Sequence, residues 1–193
     1  MSEIVLETKS SVIQTYSGLA FDILHPDPEK ISIIDIAHSL SMICRFTGHS
    51  RHFYSVATHS LLCSSLGSIF GNEMAFACLM HDAQEAYVSD LATPIKSLFP
   101  AYKEVENNLG DAIGKKFGIL PETTKKTKVY DRMAMYLESK ALLGPLNSLW
   151  DSYDMKWPEG YPTPETCYRI KSIPPQVAEQ QFLERFNTLW MEK

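Results

Sequence analysis

The chain has 193 residues, of which 45% are hydrophobic and 21% are charged, and its formal net charge is −5. This length and composition predict one globular domain over residues 1–193, with a core large enough to fold unaided. The sequence has no basic block and no apolar run of the roughly 18 residues that a membrane span needs, so we expect neither a duplex nucleic acid nor a membrane as partner.

The cysteines indicate a reducing compartment. They are far apart in the sequence and form no C-x-x-C pair, which disfavours a structural zinc site. The N-terminus also lacks the basic start and the long apolar stretch of a signal peptide. We therefore expect a cytoplasmic protein whose cysteines are buried thiols. The four are Cys44, Cys63, Cys78 and Cys167.

The first part of the chain, residues 1–34, is predicted to be an irregular arm. It mixes β-branched residues with Gly18, Pro26 and Pro28, a composition that favours turns and a short hairpin over a helix. From Asp35 onward the apolar residues recur at helical spacing. We expect Asp35 to be the N-cap of a helix over residues 36–44.

Helices are predicted through most of the remaining chain. Ser55 is expected to cap one helix, Gly118 to end another and Pro121 to begin the next, because these residue types favour those positions. The predicted helices cover residues 56–70, 72–87, 101–117, 121–143 and 175–190. Residues 144–174 are rich in Pro, Trp and Tyr and predict an ordered loop packed over the bundle. The predicted fold class is therefore all-α, a compact helical bundle.

The pair His81-Asp82 carries the strongest chemical pattern in the chain. On a helix, His81 and Glu85 lie one turn apart and face the same space, whereas Asp82 is rotated by about 100° from His81. His81 and Asp82 can therefore reach one metal ion only if other helices add ligands. His59 is suitable because an antiparallel pair of helices would bring it beside His81. Asp131, on a later predicted helix, is suitable because a carboxylate near an apolar stripe needs a partner to offset its desolvation.

Two interpretations of these four residues remain open from spacing alone. Imidazole nitrogens and carboxylate oxygens together favour a catalytic divalent ion, with Mn, Co, Zn and Mg as candidates. The metal-binding core would then cover about residues 35–143, followed by the C-terminal loop and helix over residues 144–193. The alternative is that they are unrelated core residues, each hydrogen-bonded to its own neighbours.

Six segments of the sequence form a combined motif. They are DIAHSLS (35–41), RFTGHS (45–50), FYSVATHS (53–60), LMHDAQEAY (79–87), DLATPIK (90–96) and DR (131–132). Together they resemble the HD-domain phosphohydrolases. More narrowly, they are similar to the branch that contains bacterial 5′-deoxyribonucleotidases and the compact phage enzymes that remove phosphate from dATP. The resemblance covers roughly residues 15–143, and the final helix is similar to a lesser degree.

This resemblance implies an all-α domain in which His59, His81, Asp82 and Asp131 hold a divalent metal ion. In such enzymes the metal binds the phosphate of the substrate and polarises the attacking water. Glu85 would be the catalytic acid/base residue that handles the proton of the water or of the leaving oxygen. The alternative interpretation of Glu85 is an ordinary surface carboxylate.

The resemblance also implies residues that bind the substrate. Arg45 corresponds to the family's phosphate-binding arginine, and Lys96 would add a second positive charge toward the phosphate tail. Asp90 would be a second catalytic residue, holding a sugar hydroxyl or the water. The alternative for Lys96 is a solvated lysine, and the alternative for Asp90 is a helix or turn cap. Phe46 stands where relatives often carry a tryptophan that packs on the sugar and disfavours a 2′-hydroxyl. Phenylalanine is smaller and has no ring N–H, so contact with the sugar and a place in the core both remain open.

Three further histidines lie within the matching segments or directly between two of them, but not at the ligand positions of the motif. They are His38, His49 and His52. We expect His38 to pack or hydrogen-bond near the site, and the other two could approach phosphate. None is included among the predicted metal ligands.

The predicted function is hydrolysis of a phosphate ester of a deoxynucleotide by a metal-dependent phosphohydrolase. The substrate is either a dNTP, as for a dATP-type triphosphohydrolase, or a dNMP, as for a 5′-deoxyribonucleotidase. One alternative is a cyclic-nucleotide phosphodiesterase, although that chemistry would need further metal-ligating histidines. Another is a non-catalytic helical module that binds nucleotides as a sensor. By resemblance we also expect a homo-oligomer.

Overall fold

The computed structural model describes residues 11–146, 148, 150 and 170–192, and within them the chain is predominantly helical, as predicted. A two-stranded sheet of β1 (Val12–Gln14) and β2 (Ala20–Asp22) precedes the helices. The helices are α1 (Ile33–Met42), α2 (Val56–Gly67), α3 (Asn72–Met80), α4 (Glu85–Val88), α5 (Thr93–Lys96), α6 (Pro100–Phe117), α7 (Pro121–Leu142) and α8 (Pro175–Met191). Short 3₁₀ segments cover Pro28–Lys30, Arg45–Gly48 and Ser68–Phe70.

The N-terminal arm contains the short hairpin that the sequence predicted. β1 and β2 pair antiparallel, with Ile13 opposite Phe21. The Phe21 side chain is fully buried and stacks on Tyr87 of α4 at a centroid distance of 4.3 Å. The hairpin is therefore anchored to the helical core through one aromatic side chain.

Helix α1 begins at Ile33, earlier than predicted. Its N-cap residue is Ser32, and Asp35 lies inside the first turn, so the prediction that Asp35 caps this helix was wrong. The Asp35 carboxylate instead accepts hydrogen bonds from the backbone N–H and the hydroxyl of Ser17, at 2.6 and 2.9 Å. Asp35 thus fastens the hairpin to α1, a tertiary contact that local helix propensity does not predict.

Helices α2 and α3 pack side by side; α2 contains His59, and His81 directly follows α3. Ser55 caps α2 as predicted, because its hydroxyl oxygen accepts a hydrogen bond from the Thr58 N–H at 3.1 Å. Gly67 at the end of α2 faces the Cys78 side chain of α3. A Cβ added to Gly67 would lie 2.8 Å from the Cys78 sulfur. The close approach of the two helices therefore depends on a residue without a side chain.

The predicted helix that contains His81 is interrupted. Helix α3 ends at Met80, and α4 starts only at Glu85. Between them, the N–H groups of Ala83 and Glu85 donate to carbonyls three residues earlier, at 3.1 and 2.9 Å, which is the 3₁₀ pattern. His81 and Asp82 therefore occupy a tightened turn and not the interior of an α-helix.

The two longest helices begin and end within one residue of their predicted bounds. Helices α6 and α7 both start with a proline, whose fixed φ suits the first helical position. Gly118 ends α6 in a left-handed conformation with φ 61° and ψ 43°. Helix α7 then packs against α2 and α3. This packing brings the face of α7 that carries Asp131 to the two histidines.

The main hydrophobic core lies between α1, α2, α3, α6 and α8. Phe182 and Leu189 of α8 are almost completely buried in it, and each such side chain contributes roughly 1.5–3 kcal/mol through its burial. A smaller cluster joins α7 to α2 and α3 through Met133, Leu66 and Cys78. Helix α8 therefore closes the bundle, while α7 is held separately against the pair of helices that carries the site.

The predicted loop over residues 144–174 lies largely outside the described residues, as does Cys167. Of the other cysteines, Cys63 and Cys78 are buried as expected, whereas Cys44 is partly exposed. None of the helices in the described ranges has the length and hydropathy needed to cross a membrane.

Candidate metal centre

The four side chains predicted to bind a metal come together in the structure. The Nε2 atoms of His59 in α2 and His81 after α3 are 3.3 Å apart. Asp82 Oδ2 lies 3.0 Å from His81 Nε2 and 3.6 Å from His59 Nε2. Asp131 Oδ1, from α7, lies 3.2 Å from His59 Nε2 and 4.0 Å from His81 Nε2. Donor atoms from three separate parts of the chain therefore lie within 4.0 Å of the two histidine Nε2 atoms.

The hydrogen bonds of the two imidazoles determine which nitrogens carry lone pairs. His81 Nδ1 must donate to the Cys78 carbonyl, 2.7 Å away, because a carbonyl only accepts. His59 Nδ1 lies 2.7 Å from Glu138 Oε1, and an ionised carboxylate likewise only accepts. In the neutral rings, the two Nε2 lone pairs then face each other at 3.3 Å. This arrangement is repulsive unless a proton or a metal cation lies between the nitrogens.

Glu138 was not among the predicted site residues. It lies on α7 with no solvent exposure, and it accepts hydrogen bonds from His59 Nδ1, from Arg45 Nε at 3.2 Å and from the Tyr54 hydroxyl. Burial opposes ionisation of Glu138, but His59 and Arg45 outweigh it, so that the pKa of the carboxyl is lowered. A carboxylate that binds the far nitrogen of a histidine orients the ring for metal binding. The sequence pattern could have identified Glu138, because it lies two turns after Asp131 on one face of α7.

Cys63 brings a third donor to the pair of histidines. It lies one turn after His59 on α2, and its sulfur is 3.5 Å from His59 Nε2. The donor atoms of His59, Cys63 and His81 all lie within 4.8 Å of one another, so this group could hold a metal ion. Burial, followed by the charge of Asp131, raises the pKa of the Cys63 thiol well above its usual range. The sequence predicted that this thiol is buried but not that it lies beside the histidines.

The carboxylates raise the pKa of both histidines. Burial lowers the pKa of His81, but the Asp82 carboxylate outweighs burial and raises it to about 9. Burial and the charge of Arg45 oppose protonation of His59, yet Glu138 and Asp131 outweigh them and its pKa is raised. The electrostatic field of the site therefore favours positive charge at the two Nε2 atoms.

Arg45 reaches the site from the 3₁₀ segment after α1. Its Nε donates to Glu138 at 3.2 Å, and its Nη1 lies 4.0 Å from Asp82 Oδ2. Phe46 and Thr47 follow in left-handed conformations, with φ values of 54° and 51°. The Arg45 guanidinium lies 5.4 Å from the centre of the partly exposed Phe46 ring. Two strained residues therefore accompany the turn that directs Arg45 inward.

Glu85 is buried, so the alternative interpretation of an ordinary surface carboxylate was wrong. It is 4% exposed, and its Oε1 accepts a hydrogen bond from Lys96 Nζ at 3.3 Å. Lys96 Nζ also donates to Glu106 Oε1 at 2.7 Å, so it is not a solvated lysine. The other oxygen, Oε2, has no hydrogen-bond partner among the described residues. Burial, followed by the charges of Asp82 and Asp90, raises the pKa of Glu85 well above its usual range, against the effect of Lys96.

The remaining residues singled out from the sequence differ in their surroundings. Asp90 is partly exposed, and its pKa is raised mainly by burial. His38 Nδ1 lies 3.0 Å from Glu179 Oε2, and this contact ties α1 to α8. His49 and His52 are exposed.

Comparison with known proteins places the chain in a family. No protein-family model matches it. Over 179 residues it is 40% identical to "Uncharacterized protein YfdR" of Escherichia coli (strain K12), and the match covers 93% of this chain and 96% of that protein. The chain belongs to the YfdR family. It is also 35% identical over 139 residues to "Uncharacterized protein RCAP_rcc00048" of Rhodobacter capsulatus, which corresponds to 66% of this chain and 71% of that protein.

In this member of the YfdR family a cavity of about 720 Å³ opens beside Glu85. Its walls come from α1, α4, α6 and the residue that follows β2. Ile23, Ile43 and Val105 supply apolar surface, and Tyr102 lines it as well. Cavities that bind small molecules commonly measure roughly 300–1,000 Å³ and combine apolar walls with a few polar groups. The cavity is therefore large enough for a ligand, and Glu85 is the residue that it shares with the site.

Proposed function

We propose that this YfdR-family chain is an HD-domain phosphohydrolase that uses a divalent metal ion to hydrolyse a phosphate ester of a deoxynucleotide. The observation that carries the proposal is the 3.3 Å separation of the Nε2 atoms of His59 and His81, with oxygens of Asp82 and Asp131 beside them. Adjacent ligands on one ion with bonds of about 2.1 Å lie about 3.0–3.5 Å apart, and opposite ligands about 4.2 Å apart. The observed separations of 3.0 to 4.0 Å fit that range and support one ion held by all four residues.

The charges around the site also support a bound cation. Among the described residues, the charge network of the site contains more carboxylates than cationic side chains. Glu85 adds no negative charge to it, because its raised pKa keeps it protonated near neutral pH. The other carboxylates are Asp82, Asp90, Glu106, Asp131 and Glu138, and the cationic side chains are Arg45 and Lys96. This surplus would repel an anionic phosphate unless a divalent ion offset it.

The residues of the chain have distinct roles in the proposed reaction. A divalent ion held here would bind the phosphate and polarise the attacking water. When the bond between phosphorus and the leaving oxygen breaks, that oxygen needs a proton. Glu85 is suited to provide it, because its raised pKa retains the proton near neutral pH and its Oε2 is unpartnered. Arg45 binds Glu138 through Nε, which leaves its Nη groups for phosphate oxygens.

The cavity beside Glu85 supports a substrate with a nucleoside group. Its apolar walls suit the flat faces of a base, and Lys96 lies close enough to Glu85 to add positive charge toward a phosphate tail. Phe46 beside Arg45 offers a ring against which a sugar can pack. Because phenylalanine has no ring N–H, discrimination against ribose would rest on packing alone, and we expect it to be modest.

A substrate screen tests this proposal. Purified protein would be incubated with deoxy- and ribonucleoside mono-, di- and triphosphates in the presence of Mn, Co, Mg or Zn, and the phosphate product identified. Release of tripolyphosphate and deoxyadenosine from dATP would indicate a triphosphohydrolase. Release of orthophosphate from dAMP would indicate a 5′-deoxyribonucleotidase. If no deoxynucleotide is hydrolysed with any of these metals, the proposal is wrong.

A Glu85→Ala variant separates an enzyme from a nucleotide sensor. A hydrolase should lose about 10²–10⁴-fold in turnover without this acid/base group, while the metal content stays that of the wild type. Glu104→Ala, on the exposed face of α6, is the control and should retain full turnover. Nucleotide binding without turnover in the wild type would indicate the sensor, and cleavage of cyclic nucleotides alone would indicate a phosphodiesterase. Light scattering measures the expected homo-oligomer.

A further inference from the structure

We propose that Cys63 allows the metal centre to hold a zinc ion, with His59, Cys63 and His81 as its ligands. Zinc bound in this way excludes the divalent ion that the two histidines would otherwise hold together with Asp82 and Asp131. The inference rests on the metal centre of the proposed function. It concerns which ion the two histidines hold, and it predicts that zinc and an oxygen-preferring ion such as manganese compete for them.

The separations of the three donor atoms carry this inference. A tetrahedral ion with Zn–S of about 2.3 Å and Zn–N of about 2.0–2.1 Å places sulfur and nitrogen about 3.5 Å apart and two nitrogens about 3.4 Å apart. Cys63 Sγ lies 3.5 Å from His59 Nε2, and the two Nε2 atoms are 3.3 Å apart. Two of the three separations therefore match those of ligands on one zinc ion, and the third pair, Cys63 Sγ and His81 Nε2, lies within 4.8 Å. Cys63 Sγ also lies 4.0 Å from His59 Nδ1, so rotation of the Cys63 side chain toward the Nε2 lone pairs would complete the site without a shift of the helices.

The two sets of donors differ in chemistry and in exposure. Cys63 is 1% exposed and His59 is fully buried, whereas the Asp131 side chain is 40% exposed. Thiolate sulfur is a soft ligand that favours zinc, and carboxylate oxygen is a hard ligand that favours manganese and magnesium. A soft ion is therefore drawn to the buried, sulfur side of the histidines, and a hard ion to the more exposed, carboxylate side.

The two modes of binding exclude each other because they share nitrogens. His59 and His81 each use Nδ1 for a hydrogen bond, to Glu138 and to the Cys78 carbonyl, so each has one lone pair left, on Nε2. One lone pair binds one ion. When zinc enters, the S–H bond of Cys63 breaks, a sulfur–zinc bond forms and the proton passes to solvent. No electrons are transferred, and no other reactant is needed.

Cobalt(II) titration of the metal-free, full-length protein tests the inference by spectroscopy. Cobalt has visible d–d bands at any such site, but a thiolate ligand adds an intense charge-transfer band in the near ultraviolet. We expect this band in the wild type and its loss in Cys63→Ser. Cys78→Ser is the matched control, because Cys78 is also buried on the neighbouring helix but outside the donor group, and this variant should keep the band.

Competition between zinc and manganese gives a second measurement. Free Mn²⁺ is observed by electron paramagnetic resonance as zinc is added to the manganese-loaded protein. Zinc should release the manganese. Cys63→Ser should weaken zinc binding about tenfold or more, since even the loss of a group that is hydrogen-bonded to a metal ligand lowers metal affinity 10–100-fold. The affinity for manganese should change by less than about threefold, because its oxygen ligands remain.

The possible results distinguish this inference from the proposed function. Visible cobalt bands without the charge-transfer band in the wild type would overturn the role of Cys63 and leave the carboxylate centre standing. No cobalt binding at all would overturn the metal centre itself, and with it the proposed function. The wild-type spectrum decides between these results even if Cys63→Ser fails to fold.

Discussion

At the scale of single residues, Glu138 shows how a buried charge positions a histidine. Its carboxylate is removed from water, and three donors replace the lost hydration: His59, Arg45 and Tyr54. The hydrogen bond to His59 Nδ1 directs the opposite ring nitrogen toward His81. Arg45 is held by the same carboxylate, so one residue orients both a proposed metal ligand and a proposed phosphate-binding group.

We expect Glu138→Gln to weaken divalent metal binding by about 10–100-fold, because the amide is neutral and presents an N–H group to one of its three donors. Isothermal titration with Mn²⁺ would measure the affinity, and circular dichroism would confirm the helical fold. Glu122→Gln, at the exposed start of the same helix, should bind as the wild type does. Equal affinities in the two variants would show that Glu138 does not orient His59.

A second prediction at this scale concerns Thr47, an exposed β-branched residue with φ 51°. Glycine adopts this left-handed conformation without a steric penalty, so Thr47→Gly should raise the free energy of unfolding by about 1 kcal/mol. The same substitution at Thr124, on the surface of α7, should lower it. Urea unfolding of both variants would measure the changes. A loss of stability in Thr47→Gly would mean that the threonine makes a compensating contact.

At the scale of secondary-structure elements, the site depends on how closely α2 and α3 approach. His59 and His81 belong to different elements, and their 3.3 Å separation requires the helices to pack tightly. Gly67 permits this approach, because its missing side chain leaves room for the Cys78 sulfur. The 3₁₀ turn after α3 then places His81 and Asp82 at the end of the helix, where both reach the other helices.

We expect Gly67→Ala to destabilise the protein by about 1–3 kcal/mol, since the new methyl group would lie 2.8 Å from the Cys78 sulfur and 3.2 Å from the Met74 carbonyl. Gly110→Ala is the matched control within α6, where an added Cβ would meet no atom within 4 Å. This control should stabilise the protein by about 0.5–1 kcal/mol through helix propensity. Thermal unfolding of both variants measures the difference, and two shifts of equal sign would contradict the packing argument.

The helix predictions that succeeded rest on contacts within the helix itself. Capping and terminating residues such as Ser55, Gly118 and Pro121 act on their own backbone, so their positions in the sequence correctly predicted the bounds of the helices. Asp35 has the same chemistry as a cap, but Ser17 of the hairpin binds its carboxylate. That contact depends on tertiary packing, and helix-capping rules do not include it.

At the scale of the whole molecule, the carboxylates around His81 make the free energy of unfolding depend on pH. His81 has an ordinary pKa of 6.5 and a pKa of about 9 in the folded, metal-free chain. Its protonation therefore stabilises the folded state fully below pH 6.5, and this contribution is lost as the pH rises toward 9. Glu85, whose folded pKa is also raised, changes stability in the same direction over this range.

We therefore expect the melting temperature of the metal-free protein to fall between pH 6.5 and 9. Saturating Mn²⁺ should raise the melting temperature more at pH 8 than at pH 6, because protons compete less with the ion for the histidines at the higher pH. Differential scanning calorimetry with and without the metal measures both effects. A melting temperature that metal leaves unchanged at pH 8 would contradict the proposed ligand set.

The sequence by itself determined the helical class and, to within about three residues, the bounds of α2, α6, α7 and α8, because these depend on local periodicity and on caps. From residue chemistry it also predicted His59, His81, Asp82 and Asp131 as donor residues. Only the tertiary structure decided that Asp82 and Asp131 lie close to the two histidines, that Glu138 lies behind His59 and that Cys63 lies beside it. The reason is that these distances join residues from α2, α7 and the turn after α3. Their values follow from how the helices pack, and helix packing is not encoded in any one segment of the chain.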